Sequence, residues 1–131
     1  MQGMTRPSIL VVEDFALLRS SVMQWLRVQF PGFHVKGVGS AEEALEHARI
    51  SRPDVVLMDI DLPGMNGLEA VSRIKAQAPR TAVVMLTMHD SPVHRLAAAN
   101  AGAVGYVAKI DMEDHLGAIV EALLRSRSGM L

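Results

Sequence analysis

Four short apolar runs, each closed by a charged or hydroxyl residue, constrain this chain more than any other feature. Ile9-Leu10-Val11-Val12 runs into Glu13-Asp14, and Val55-Val56-Leu57-Met58 runs into Asp59. Ala82-Val83-Val84-Met85-Leu86 runs into Thr87, and Val104-Gly105-Tyr106-Val107-Ala108 into Lys109. Apolar runs of this length without polar alternation read as strands buried on both faces, the condition of parallel strands in an α/β domain. Open parallel sheets bind ligands beyond the carboxyl ends of their strands. Three carboxylates, a hydroxyl and an ammonium, distant in sequence, are therefore expected around one pocket.

The segments between the runs carry helical periodicity. Leu18, Val22, Trp25, Leu26 and Phe30 share a stripe at 3.6-residue spacing, which Pro31-Gly32 ends. Phe33 to Val38 reads as a short edge strand. Ser40, with Glu43 three residues on, forms a capping box for a helix that buries Ala44, Leu45 and Ala48. Pro53-Asp54 leads into the strand ending at Met58, Leu62 to Gly67 is loop chemistry, and Leu68, Val71 and Ile74 face inward on a helix closed by Pro79. After a strand from Thr81 to Leu86, Ser91-Pro92 supplies an N-cap and a proline at the first helical position. That helix is rich in alanine, with Val93 and Leu96 as its larger apolar anchors, and is expected to be the least firmly packed. Gly102 ends it, and Leu116, Ile119, Val120, Leu123 and Leu124 line a final amphipathic helix.

Strands alternating with helices in this way predict an α/β fold of the flavodoxin-like, doubly wound kind. Its five-stranded parallel sheet has the order 2-1-3-4-5, with helices on both faces. The switch point then lies between the strands that end in Glu13-Asp14 and in Asp59. A chain of 131 residues is one domain by size. The expected division is an unstructured extension over 1–7, the domain over 8–125, and a polar tail over 126–131. A net charge of -1 leaves no basic footprint for nucleic acid or an anionic membrane. The absence of cysteine excludes disulfides and thiolate chemistry and fits a cytoplasmic protein. No apolar stretch approaches a membrane span. His34, His47, His89, His94 and His115 show no metal-ligand spacing and read as surface residues, with His89 near the pocket mouth.

Glu13-Asp14, Asp59, the loop Leu62-Pro63-Gly64-Met65-Asn66-Gly67, Thr87 and Lys109 together resemble the receiver domain of two-component response regulators. The likeness covers about residues 8 to 125. It implies a signalling phosphoacceptor rather than an enzyme, with only self-phosphoryl transfer and slow autodephosphorylation. By the resemblance Asp59 is the phosphoacceptor, served by Lys109 and Thr87, and Thr87 and Tyr106 are the switch residues. The resemblance also implies Mg2+, held by Glu13, Asp14, Asp59 and the backbone carbonyl of Ile60. A hard cation with oxygen ligands relieves the repulsion among crowded carboxylates. The implied partners are a sensor histidine kinase or phosphotransfer protein and a second copy on phosphorylation. By the same resemblance, DNA is expected as a partner only through a domain absent from this chain, and no membrane is expected.

Two positions depart from the common receiver pattern: Ile110 follows the lysine where many receivers have proline, and Met88 follows the threonine where many have a small residue. Both fit the LuxR/NarL branch, which Leu86-Thr87-Met88-His89-Asp90 and Gly102 through Lys109 also resemble. That branch carries a helix-turn-helix domain after the receiver. The polar tail leaves a piece of a longer regulator and a stand-alone receiver as alternatives, with the branch likeness favouring the first. Asp59-Ile60-Asp61 also resembles the Asp-x-Asp opening of haloacid-dehalogenase-type phosphatases, but that reading leaves Glu13-Asp14 unexplained. A flavodoxin-like FMN carrier needs a phosphate loop after the first strand, where Glu13-Asp14-Phe15 would repel it.

Overall fold

The computed structural model describes residues 6–127. Residues 1–5 of the expected extension and 128–131 of the expected tail lie outside the described residues. The strands are β1 (Ser8–Val12), β2 (His34–Val38), β3 (Val55–Met58), β4 (Ala82–Thr87) and β5 (Gly105–Ala108). The helices are α1 (Ala16–Gln29), α2 (Ala41–Ser51), α3 (Gly67–Gln77), α4 (Pro92–Ala101) and α5 (Met112–Arg127). All pairings are parallel, as the alternation of apolar runs and helical stripes predicted, and the strand order is the expected β2-β1-β3-β4-β5.

Successive residues of each buried strand serve opposite faces, so the sheet separates two cores. Leu10, Val12, Val56, Met58, Val83 and Met85 pack under α2, α3 and α4. Ile9, Val11, Val55, Leu57, Val84 and Val107 pack under α1 and α5, where Val22, Leu26, Leu116 and Val120 meet them. Local chemistry sets the helix starts. Ser40, Asn66 and Ser91 each accept a hydrogen bond from the backbone amide three residues on. In the Ser40 cap the Glu43 carboxylate accepts from the Ser40 hydroxyl (3.2 Å), a variant of the reciprocal capping box.

Three expectations are corrected. Val93 and Leu96 do not anchor α4: they are 75% and 63% exposed, and Ala98 is its buried residue. The stripe His94, Ala98 and Ala101 faces inward at i, i+4, i+7, so small side chains set how closely the helix lies, and the larger apolar residues fall off that face. Pro7, assigned to the extension, is tied to the sheet edge, its carbonyl accepting from the His34 amide (2.9 Å). At the other end α5 continues to Arg127, two residues past the expected boundary at 125.

Candidate functional site

Register brings the strand-end residues together. Val12 pairs with Met58, so Glu13 and Asp59 follow side by side on β1 and β3. Thr87 pairs with Ala108, so Lys109 emerges next to Thr87 as β5 passes into a single 3-10 turn, Lys109–Asp111. The side-chain ligand atoms of Glu13, Asp14 and Asp59 lie within 4.8 Å of one another. Glu13 and Asp59 are buried, whereas Asp14 is exposed at the rim.

Lys109 holds the centre. Its Nζ donates to Glu13 Oε1 (2.7 Å) and to Asp59 Oδ2 (3.0 Å). The second Asp59 oxygen accepts from the Asp61 amide (3.2 Å), and Glu13 Oε2 accepts from the Phe15 amide (3.1 Å). Burial pushes the Glu13 carboxyl above its usual range, and the hydrogen bonds from Lys109 and the Phe15 amide offset this only in part. For Lys109 burial opposes the charge, but the hydrogen bonds to Glu13 and Asp59 outweigh it and raise the pKa. One ammonium facing three carboxylates leaves the cluster short of positive charge, and the donors are all hard oxygens. That set suits Mg2+.

The Ile60 carbonyl does not fit the ligand role expected of it. It accepts from the amides of Leu62 and Gly67, both at 3.0 Å, so both lone pairs already hold the loop between β3 and α3. Gly67 sits against this turn more closely than any side chain would allow: a Cβ there would lie 2.1 Å from the Asp59 carbonyl oxygen. The sequence marked Gly67 as loop chemistry and gave no sign of this approach.

Thr87 is fully buried, and its hydroxyl accepts from the His89 amide (3.4 Å). The His89 carbonyl accepts from the Tyr106 hydroxyl (2.5 Å), and the Arg95 guanidinium lies over the Tyr106 ring, 4.7 Å from its centroid. Tyr106 is half-buried against the core, and burial raises its pKa. His89 Nε2 pairs with the Asp61 carboxylate, and its ring stacks on His94 with centroids 4.6 Å apart. His89 therefore joins the loop after β3 to α4 and β5. Its place near the pocket was legible, but its partners were not, since Asp61, His94 and Tyr106 share no sequence spacing. Met88 and Ile110, the two departures, are exposed.

The family model of the response regulator receiver domain matches residues 9–121. The probable transcriptional regulatory protein TcrX of Mycobacterium tuberculosis is 34% identical over 123 residues, spanning 94% of this chain and 51% of that protein. The response regulator GacA of Pseudomonas viridiflava is 38% identical over 102 residues, spanning 77% of this chain and 47% of that protein. The chain thus spans about half the length of the curated relatives it matches. Among solved structures, a LuxR-family two-component response regulator from an Aurantimonas species superposes with TM-score 0.83 at 32% identity, covering 92% of this chain and 86% of that one. A CheY-like receiver domain protein from Methanospirillum hungatei gives TM-score 0.83 at 28% identity, covering 95% and 99%. A match that runs from β1 into α5, on the sheet order that unites Glu13, Asp59 and Lys109, shows that the chain belongs to the receiver-domain family of two-component response regulators.

Proposed function

We propose that this chain is a phosphorylation switch in which Asp59 takes a phosphoryl group from a histidine of a sensor kinase or phosphotransfer protein. The observation that carries the reading is the Asp59 carboxylate, buried at the end of β3 and bonded to Lys109 at 3.0 Å, with Glu13 and Asp14 alongside. An Asp59 oxygen attacks phosphorus, the nitrogen–phosphorus bond of the phosphohistidine breaks, and the imidazole leaves as an acyl phosphate forms on Asp59. Mg2+ held by Glu13, Asp14 and Asp59 would neutralise the carboxylates and the transferring oxygens. Lys109 exchanges its bond to the Asp59 carboxylate for one to a phosphoryl oxygen, and Glu13 keeps the ammonium in place meanwhile. Catalysis ends there, apart from slow hydrolysis of the acyl phosphate.

The Thr87 hydroxyl accepts from His89 and still has its own proton to donate to a phosphoryl oxygen. Movement of Thr87 towards that oxygen pulls on the His89 backbone, which the Tyr106 hydroxyl grips from the other side. The signal then reaches the face formed by α4, β5 and α5, where Ala98 is the one fully buried residue of α4. That face would carry the output, by a second copy or by a DNA-binding region of a longer cytoplasmic regulator.

The test is phosphorylation by phosphoramidate with Mg2+, read by mass spectrometry. The wild-type chain is expected to gain one phosphoryl group and Asp59→Asn none. Equal labelling of the variant would overturn the assignment.

A further inference from the structure

The opposite end of the sheet holds a cavity of about 470 Å³, beside the edge strand β2 and the last turns of α2. Its wall is made by Arg6, His34, Lys36 and His47, and Ser8, Ser51 and Pro53 help to line it. Among the described residues, no carboxylate lines it. Among the described residues, no ion pair joins Arg6 or Lys36 to an acid. The nearby acids are engaged elsewhere: Asp54 Oδ2 accepts from the Ser8 amide (2.8 Å), and Glu46, on the same helix as His47, is bridged to Arg49 (2.7 Å). Burial, and then the charge of Lys36, hold the His47 imidazole below its usual range.

A wall of charged and imidazole donors recognises oxyanions. A guanidinium takes a phosphoryl group in bidentate fashion, and an ammonium supplies a point charge beside it. The volume lies in the range of small-molecule sites. We infer that this cavity binds a small diphosphate-bearing anion. The site is separate from the Asp59 pocket and independent of phosphoryl transfer there. It makes the chain a receiver with a second, ligand-binding input at the far end of the sheet.

Nuclear magnetic resonance titration of the full chain at constant ionic strength and without Mg2+ tests this, with inorganic pyrophosphate in one arm and ADP in the other. Saturable shifts are expected at the amides of Ser8, Lys36 and His47. The His47 imidazole, faced by Arg6, His34 and Lys36, should titrate at higher pH once the anion is bound. Lys36→Glu is expected to weaken binding at least tenfold, with Lys36→Gln as a milder second variant, and both should still be phosphorylated on Asp59. Tighter binding of ADP assigns the site to a nucleotide-like ligand, and equal affinities assign it to the diphosphate alone. Shifts that never saturate, or saturable binding unchanged in both Lys36 variants, would overturn the inference.

Discussion

Gly67→Ala puts the geometry behind Asp59 to a direct test. The added Cβ would lie 2.1 Å from the Asp59 carbonyl oxygen and 2.9 Å from both the Asp59 carbonyl carbon and the Ile60 Cα. Ordinary carbon–oxygen contacts fall near 3.3 Å, so the first turn of α3 and the end of β3 must part by about 1 Å. All three neighbours are backbone, so no side chain can rotate away. The bond from the Gly67 amide to the Ile60 carbonyl (3.0 Å) lies on the line of separation. Overpacking costs of order 1–3 kcal/mol, and a backbone clash belongs at the upper end, about 3. Alanine returns roughly 1 kcal/mol as a better helix former, leaving a net loss of about 2 kcal/mol, or about 8 °C in Tm. Because the same turn positions Asp59, the phosphorylation rate should fall on the order of 100-fold. Circular dichroism during thermal and urea unfolding, with phosphoramidate labelling on the same samples, measures both effects. Gly117→Ala in α5 is the control: its Cβ would meet Trp25 at an ordinary 3.7 Å, so a gain of roughly 0.5–1 kcal/mol is expected. A Gly67→Ala protein within about 0.5 kcal/mol of wild type and labelled at the wild-type rate would refute the close approach.

Asp14→Asn should leave the metal-free stability nearly unchanged, because Asp14 is exposed, but should remove most of the Mg2+-dependent gain. That gain is about 2.7 kcal/mol when Mg2+ stands at roughly 100 times its Kd, and unfolding with and without MgCl2 reads it; an undiminished gain in the variant would exclude Asp14 as a ligand. Glu13 has a folded pKa above its usual 4.5, so the native state binds the extra proton. Its contribution is therefore most favourable at and below pH 4.5 and is lost as pH rises through the folded value. Metal-free urea titrations should show this decline, and Glu13→Gln should flatten it. Lys109 has the opposite window: its folded pKa is raised, so its stabilisation is intact below pH 10.5 and disappears as pH climbs through the folded value. On α4, Leu96→Ser should change stability by no more than about 0.5 kcal/mol, whereas Ala98→Leu should cost roughly 1–3 kcal/mol. A large loss on Leu96→Ser would restore Leu96 as an anchor.

Local chemistry was readable from the chain. The apolar runs gave β1, β3, β4 and β5 because strands buried on both faces have no polar side to alternate with. The caps at Ser40 and Ser91 were legible because a cap satisfies amides only three residues away. Alternation and crossover handedness pointed to a parallel, doubly wound sheet, which placed Glu13, Asp59 and Lys109 at one end of it, whereas the order 2-1-3-4-5 is one of the arrangements they allow.

Contacts between segments were not legible. Size alone marks Val93 and Leu96 as anchors, but facing is decided by where α4 lies, and that sets the Ala98 stripe inward. Nothing in the sequence shows that the amides of Leu62 and Gly67 occupy the Ile60 carbonyl expected to hold a metal. The pairing of His89 with Asp61 and Tyr106, and the gathering of Arg6, Lys36 and His47 around a cavity, depend on segments that meet only in three dimensions. Sequence by itself determined which strands form and which functional groups stand at their ends, since burial period and capping act over a few residues. Tertiary structure alone decided which hydrogen-bonding groups were already taken and which faces turned inward, because both depend on distances between segments remote along the chain.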